Sequence, residues 1–479
     1  MSESSSEGVR RLQQSLGARV CLPGSAAYAA ALSRVFFPDA ARRQPACVVE
    51  PASTAEVATV MKVATAARCP VTVRGGGLSS TCVADGAAMV DLSTHLDYAK
   101  ATTGPDGQVL VTAGGGATMG TLLDTAADAG QMVPAGIVRL AGLGLASRGG
   151  VGYLTRSLGL TLDHLVAAEL VLPGGEVVRL SADSTGTEAE LWWAVRGCAP
   201  SFGVLTSATF RTHPARPVFV DRLVTSPDAL AAYFQIAPGL PRHTSMSAVL
   251  STVPGEPREA GLLIYTVCAS GAPADVTAAR QAATAVAGSS AGPVIARKEE
   301  TGLFNRGFPE MALLHRGGRE PDPVGPPGPG PRTDFFFGKS VFLDATPGAD
   351  VAAALTEQLR RAPTPACRID LQHTGGALAD IADAATAFWG RGTEWNAPVN
   401  AITADLGQRE ECTEWARQAA GAYAGHTAGV YSVELRPGLP ETAREVQAAF
   451  GGNLPRLQRL ARDCDPAGVL SRYAPLGAP

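Results

Sequence analysis

The stretch Val71-Thr-Val-Arg-Gly-Gly-Gly-Leu-Ser-Ser80 joins an apolar run to an arginine and three glycines. Such a turn brings backbone N–H groups close to a ligand with no Cβ in the way. Arg74 at its start can add charge-assisted hydrogen bonds to a phosphate. Glycine turns also decorate ordinary surfaces, so the motif gains meaning from its company. Val109-Leu-Val-Thr-Ala-Gly-Gly-Gly-Ala117 is a second strand-like run entering a glycine turn. Segment 134–152 then carries glycines at 136, 142, 144, 149, 150 and 152. A regular helix would lose about 1 kcal/mol at each, so this segment is expected to follow an irregular path.

Asp370 and Gln372 alternate within Cys367-Arg-Ile-Asp-Leu-Gln-His373 and so share one strand face, where either could contact a substrate. His373 points the other way and could still reach a pocket at the strand end. Trp389, Trp395 and Trp415 are candidates for an aromatic substrate pocket or for packing. The seven histidines show no HxH or HExxH spacing, which argues against a metal site. No GxSxG elbow offers a serine for hydrolysis.

The elements that hold these residues alternate. Strands are expected at 47–50, 71–74, 88–91, 109–117, 165–172 and 202–211, with helices at 8–17, 22–36, 118–129 and 188–195. Another helix opens at Ser53, capped with Glu56 at capping-box spacing, and runs to about Arg68. Near residue 215 the texture changes. Strands at 218–224, 244–253, 259–268, 335–343, 367–373, 401–405 and 430–435 then mix with helices at 227–236, 274–287, 349–361, 411–422 and 440–465. The Pro/Gly-rich stretch 317–333 is expected to be an exposed, flexible loop.

A chain of 479 residues exceeds one ordinary core, so two domains are expected. Its 46% hydrophobic and 18% charged content is globular, and a net charge of -4 with scattered Lys and Arg argues against a nucleic-acid or membrane partner. The polar start has no apolar h-region behind it and no apolar window of about 18 residues occurs, so a cytoplasmic location is expected. Nine cysteines without a CxxC read as mostly buried free thiols, with one disulfide still open.

Together these segments resemble the flavin oxidoreductases of the vanillyl-alcohol oxidase superfamily, in the berberine-bridge-enzyme-like group. The match covers residues 45–215 and returns over 335–400 and 440–473. It is carried by Val73-Arg-Gly-Gly-Gly77, Met89-Val-Asp-Leu-Ser93 and Val111-Thr-Ala-Gly-Gly-Gly116. Gly149-Gly-Val-Gly-Tyr-Leu-Thr-Arg-Ser-Leu-Gly-Leu160 with Asp163, Phe202-Gly-Val204, Thr374-Gly-Gly376 and Phe450-Gly-Gly-Asn-Leu-Pro-Arg-Leu457 follow in order.

The resemblance implies an α+β, two-domain PCMH-type FAD-binding fold with a sheet-and-helix substrate domain. The FAD-binding domain would span 1–215 and the substrate domain 216–439, with segment 440–479 returning to the first. It implies FAD contacts from Arg74, Gly75, Gly76, Gly77, Leu78 and Ser79, and from Gly115. Gly136, Ile137, Gly142, Arg148, Gly149, Gly150 and Gly152 would run along the cofactor. Phe202, Gly203, Val204 and Asn453 complete the set.

The departures from the family carry as much information. Leu78 stands where members often carry a flavin-bonded His, and Ile137 where many carry a flavin-bonded Cys, so FAD held without a covalent link is expected. Arg148 replaces a common Gly and would face the diphosphate, a substrate acid or solvent. The family's Tyr motif is reduced to Gly429-Val-Tyr-Ser-Val-Glu-Leu435. Either Glu434 or Tyr431 then takes its place, with Asp370 and Gln372 as further candidates for the chemistry.

The implied activity is FAD-dependent oxidation of a small organic molecule: alcohol or hemiacetal oxidation, desaturation, or oxidative cyclisation. The Ala/Gly/Pro/Arg-rich composition, typical of high-GC bacteria, points to bacterial secondary metabolism. Molecular oxygen is one candidate acceptor, and the chain would be a monomer or homodimer. The alternatives are a non-redox cyclase or isomerase on the FAD-bound scaffold, and a flavin-binding pseudo-enzyme.

Overall fold

Three sheets organise the chain. The computed structural model describes residues 3–253, 256–304, 335–344, 347–471, 473 and 476, so the 317–333 stretch lies outside the described residues. The first sheet runs Val20–Cys21, Cys47–Val49, Ala88–Asp91, Val71–Arg74, with the last three strands parallel. Helices Glu3–Leu16 and Thr54–Ala67 bury Leu12, Val57, Val60 and Met61 against it. The Ser53 hydroxyl accepts from the Glu56 N–H, and the Glu56 carboxylate accepts from the Ala52 N–H at 2.7 Å. Two otherwise unpaired donors at this helix start are thereby satisfied.

The second sheet is antiparallel, in the order Ala99–Thr103, Val109–Gly114, Val204–Arg211, Leu165–Val171, Val177–Ser181. Its core includes helices Met119–Asp128 and Gly186–Cys198 together with Val446, Phe450 and Leu457 from far along the chain. The helix expected over 440–465 is in fact two, Thr442–Phe450 and Leu454–Cys464. Gly451 breaks it at φ +45°, with the Trp389 indole packed where a Cβ would project.

The third sheet has eight strands: Ala296–Leu303, Pro217–Thr225, Glu256–Cys268, Thr244–Val253, Arg368–His373, Trp395–Thr403, Phe335–Leu343 and Thr427–Val430. Helices Leu230–Ile236, Pro273–Gly288, Ala349–Arg360 and Arg409–Gly421 cover one face with a core of Tyr233, Val286, Leu355 and Trp415. On the opposite face Val220, Val249 and Tyr265 meet Tyr153 and Leu154 of the second glycine segment. The Tyr153 and Tyr265 rings stack with centroids 4.5 Å apart. The sheet therefore turns this face toward the glycine turns.

Two departures have physical causes. The strand expected at 401–405 spans Trp395–Thr403 and includes Pro398, which pairs with Ser340. The edge strand Ala296–Leu303 is charged and largely exposed, so it carries no apolar alternation to announce it. All nine cysteines are free thiols, eight of them buried. No helix among the described residues is long and apolar enough to cross a membrane.

Candidate active site

The ends of the parallel strands open onto a cleft. One wall is Gly75, Gly76, Gly77, Leu78 and Ser79; the facing wall is Gly142 to Leu145 with Ser147 and Arg148; Gly115, Gly203 and Val204 form its floor. The two walls interlock: a Cβ on Gly76 would stand 2.7 Å from the Gly142 nitrogen, and one on Gly142 2.5 Å from the Gly76 nitrogen. Only glycine allows this approach. Among the described residues, the N–H groups of residues 75–79 have no hydrogen-bond acceptor. A run of unpaired donors in a concave turn is a nest for an anion. This donor set and the narrow glycine cradle fit the diphosphate-bearing FAD that the sequence implies.

Several expected cofactor residues do other work. The Arg74 guanidinium is turned inward, with Nη1 2.8 Å and 3.0 Å from the two Asp91 carboxylate oxygens and bonded to Ser93 as well. Burial pushes Asp91 up, but Arg74, Ser93 and Arg34 outweigh it and hold the carboxyl below its ordinary value. Arg74 thus anchors the strand ends beneath the turn, its guanidinium committed to Asp91 and Ser93.

Asn453 is likewise structural: its Nδ2 donates to the carbonyls of Asp383 at 2.9 Å and Thr386 at 3.0 Å. Phe202 is fully buried in the core of the five-stranded sheet. Ile137 packs in the cluster of Met132, Tyr153 and Val218, and Gly136 lies directly behind Leu145 of the cleft wall; neither lines the cleft itself.

Gly149, Gly150 and Gly152 serve close packing. A Cβ on Gly149 would stand 2.9 Å from both the Phe388 ring and the Tyr431 hydroxyl. That hydroxyl accepts from Gly150 N–H at 2.9 Å and Val151 N–H at 3.3 Å, joining the segment just after the last strand of the large sheet to the glycine segment. Burial, partly offset by these two donors, pushes the Tyr431 phenol up to about 12. Accepting from two backbone N–H groups, the phenol acts as a strut between the sheet and the glycine segment.

Glu434 behaves differently. It lines the cleft, and among the described residues its carboxylate has no hydrogen bond or ion pair. Burial raises its pKa above the ordinary carboxylate value, against the pull of Arg436 and Lys339. Its Oε2 lies over Gly338, which pairs in register with Asn400.

On that same sheet face Asp370 and Gln372 share a side, as their alternation implies. Neither lines the cleft. Asp370 accepts from Asn400 and, at 3.1 Å, from Arg368, while Gln372 accepts from Asn396 at 2.7 Å. Ser340 donates to Asn396 at 2.6 Å, extending the network. Burial raises Asp370 despite Arg368.

His373 is fully engaged: Nδ1 accepts from Met246 N–H at 3.0 Å, which leaves Nε2–H to donate to Glu394 at 2.8 Å. Trp389, Trp395 and Trp415 do not line this cleft: Trp389 packs against Gly451, Trp395 Nε1 donates to Tyr233 and Trp415 Nε1 to the Gln358 carbonyl. Ser147, Tyr473 and Val433 also stand on the cleft wall, where no motif announces them. Tyr473 donates to the Val73 carbonyl at 3.0 Å, and only its place after the matched C-terminal motif could have suggested it.

Residues 45–181 match the family model described as FAD binding domain. The FAD-linked oxidoreductase pgmH of Aspergillus terreus is 46% identical over 87 residues, 18% of this chain and 17% of that protein. (R)-6-hydroxynicotine oxidase of Paenarthrobacter nicotinovorans is 38% identical over 143 residues, 28% of this chain and 29% of that one. The chain thus matches less than a third of the length of either relative. Across solved structures the likeness is nearly complete. The BBE-like 1 enzyme of Physcomitrella patens superposes with TM-score 0.81 at 20% identity, covering 98% of this chain and 100% of that one. Berberine bridge enzyme from Eschscholzia californica gives TM-score 0.80 at 16% identity, covering 98% and 99%. The fold is therefore the two-domain, PCMH-type α+β fold of the berberine-bridge-like enzymes.

Proposed function

We propose that this chain, whose residues 45–181 are a FAD-binding domain of the PCMH type, is a FAD-dependent oxidoreductase of a small organic molecule, with the cofactor held by contacts alone. The observation that carries the proposal is Glu434, an unpartnered carboxylate with a raised pKa on the wall where the cleft meets the large sheet. When bound, FAD supplies a two-electron acceptor.

The chain's residues then have distinct tasks. The N–H groups of residues 75–79 hold the diphosphate end. Glu434 takes the proton from a substrate O–H or N–H as the adjacent C–H is oxidised, a role suited to a carboxylate that burial makes a stronger base than usual. The Asp370–Asn400 and Gln372–Asn396 pairs fix the sheet face against which the substrate lies. Tyr431 fixes the glycine segment relative to that face. Alcohol or hemiacetal oxidation, desaturation and oxidative cyclisation all need this one base, and bacterial secondary metabolism is the proposed setting. Molecular oxygen is the proposed final acceptor.

Two measurements test this. Acid denaturation and filtration should release all yellow colour from the purified protein, as Leu78 and Ile137 imply; colour retained on the chain would refute contact-only binding. Anaerobic addition of a panel of alcohols and hemiacetals should bleach the flavin with at least one member. Turnover of a compound without bleaching would place the chain among non-redox cyclases or isomerases instead.

A further inference from the structure

Five cations are buried among the described residues: Arg74, Arg148, Arg156, Lys339 and Arg391. Four have carboxylate partners. Arg74 meets Asp91 at 2.8 Å, Arg156 meets Glu394 at 2.7 Å, Lys339 meets Glu445 at 2.6 Å and Arg391 meets Asp163 at 2.8 Å. Arg148 is the exception. It is 8% exposed, lines the cleft, and has neither hydrogen bond nor ion pair among the described residues. Its guanidinium carbon lies 6.0 Å from the centre of the Tyr473 ring.

The titratable groups that face it offer no compensation. They are Cys198, Tyr473 and Tyr431. Burial pushes the Cys198 thiol up to about 11 and the Tyr431 phenol up to about 12, and drives Tyr473 higher still. All three are neutral at pH 7. A buried cation without a counter-charge is strongly disfavoured, and folds keep one where something completes it.

The cleft shows what completes it. Arg148 and the unpaired N–H groups of residues 75–79 belong to the same cavity. Donors and a cation that converge on one space select an anion. Oxidised isoalloxazine is neutral, so the standing negative charge of FAD is its diphosphate. We propose that Arg148 is the counter-charge of the FAD diphosphate, an ionic anchor in a chain with Leu78 and Ile137 where covalent anchors would stand. This rests on the flavin-binding function proposed above.

The test uses full-length protein stripped of flavin and titrated with FAD or with riboflavin, which lacks phosphate, following quenching of flavin fluorescence at 50 and 500 mM NaCl. R148A should weaken FAD binding at least about 30-fold, flatten its salt dependence, and leave riboflavin binding unchanged. R148K should recover part of the loss by restoring a point charge without the planar fork. Thermal melting of the stripped R148A protein should be no lower than that of the wild type, since the substitution removes an uncompensated charge. Equal FAD affinity in R148A and wild type would overturn the proposal. Riboflavin binding weakened as much as FAD binding would also overturn it, assigning the guanidinium to the ring. Wild-type protein that binds neither flavin would sink the flavin-binding function itself, and this proposal with it.

Discussion

The carboxylate of Glu434 occupies the space that a side chain at position 338 would fill: a Cβ on Gly338 would stand 2.6 Å from Glu434 Oε2. Gly338 lies within a strand, where glycine is otherwise unfavourable. Its backbone is not in the left-handed region, so the glycine is there for space and not for conformation. The pair links a sheet position to a group on the cleft wall.

Replacing Gly338 with Ala should move the carboxylate off its seat. We expect turnover to fall ~10-fold or more, with FAD content in the purified protein unchanged. Equal loss of flavin would mean that the substitution disturbs the cleft as a whole.

In the proposed role of base, Glu434 works only when ionised, and burial raises its pKa above 4.5. The rate should therefore fall as pH drops through that raised value, and rise to a plateau above it. E434Q should lower kcat about 10²–10⁴-fold and abolish this acidic limb, which a pH–rate profile of both proteins would reveal. An acidic limb that survives in E434Q would assign the base elsewhere.

Tyr431→Phe removes the acceptor of two buried N–H groups. Leaving such donors unsatisfied costs about 1–3 kcal/mol each, so the melting temperature should drop by several degrees. The pH profile should keep its acidic limb, because the phenol is a strut. Loss of that limb would make Tyr431 part of the proton path.

Asn453→Ala should also lower the melting temperature, by loss of the contacts to the Asp383 and Thr386 carbonyls, at a cost of about 1–3 kcal/mol. FAD affinity should stay within about two-fold, since Asn453 does not line the cleft. A large fall in affinity at unchanged stability would restore the cofactor contact that the sequence suggested.

The buried Arg74–Asp91 pair sets an acid limit. The Asp91 carboxyl is held below 3.8 in the folded protein, so its stabilisation is present above its unfolded value and is lost as pH falls through the folded one. Arg74→Met leaves a fully buried carboxylate with Arg34 as its remaining cation, beside the Ser93 donors, and should cost about 3–5 kcal/mol. Denaturant melts at pH 7 and pH 3 should show the difference between wild type and R74M shrinking at the lower pH.

Much of this architecture could be read from local pattern. Ser53 and Glu56 announced a helix start, and three glycine turns after apolar runs announced the walls of the cleft. Partners that depend on long-range pairing could not be read in this way. Whether Arg74 meets a phosphate or Asp91 is decided by the parallel register that sets residue 74 beside residue 91. Asn453 meets carbonyls some 70 residues away. Glu434 and Gly338 meet only because the segment after the last strand folds back over the sheet. The strands at 99–103 and 296–303 escaped notice because they are exposed and polar, with no buried face to impose a period.

Tyr473 bonds to Val73, 400 residues earlier in the chain, and lines the cleft that Val73 opens. During synthesis at about 5–20 residues per second, roughly 20–80 s pass between the emergence of the first wall and of the residue that closes it. The cradle is thus incomplete for most of translation, and flavin capture belongs to the period after the ribosome has finished this stretch. Supply of the cofactor late in expression should therefore still yield yellow protein, because the cradle closes only with Tyr473.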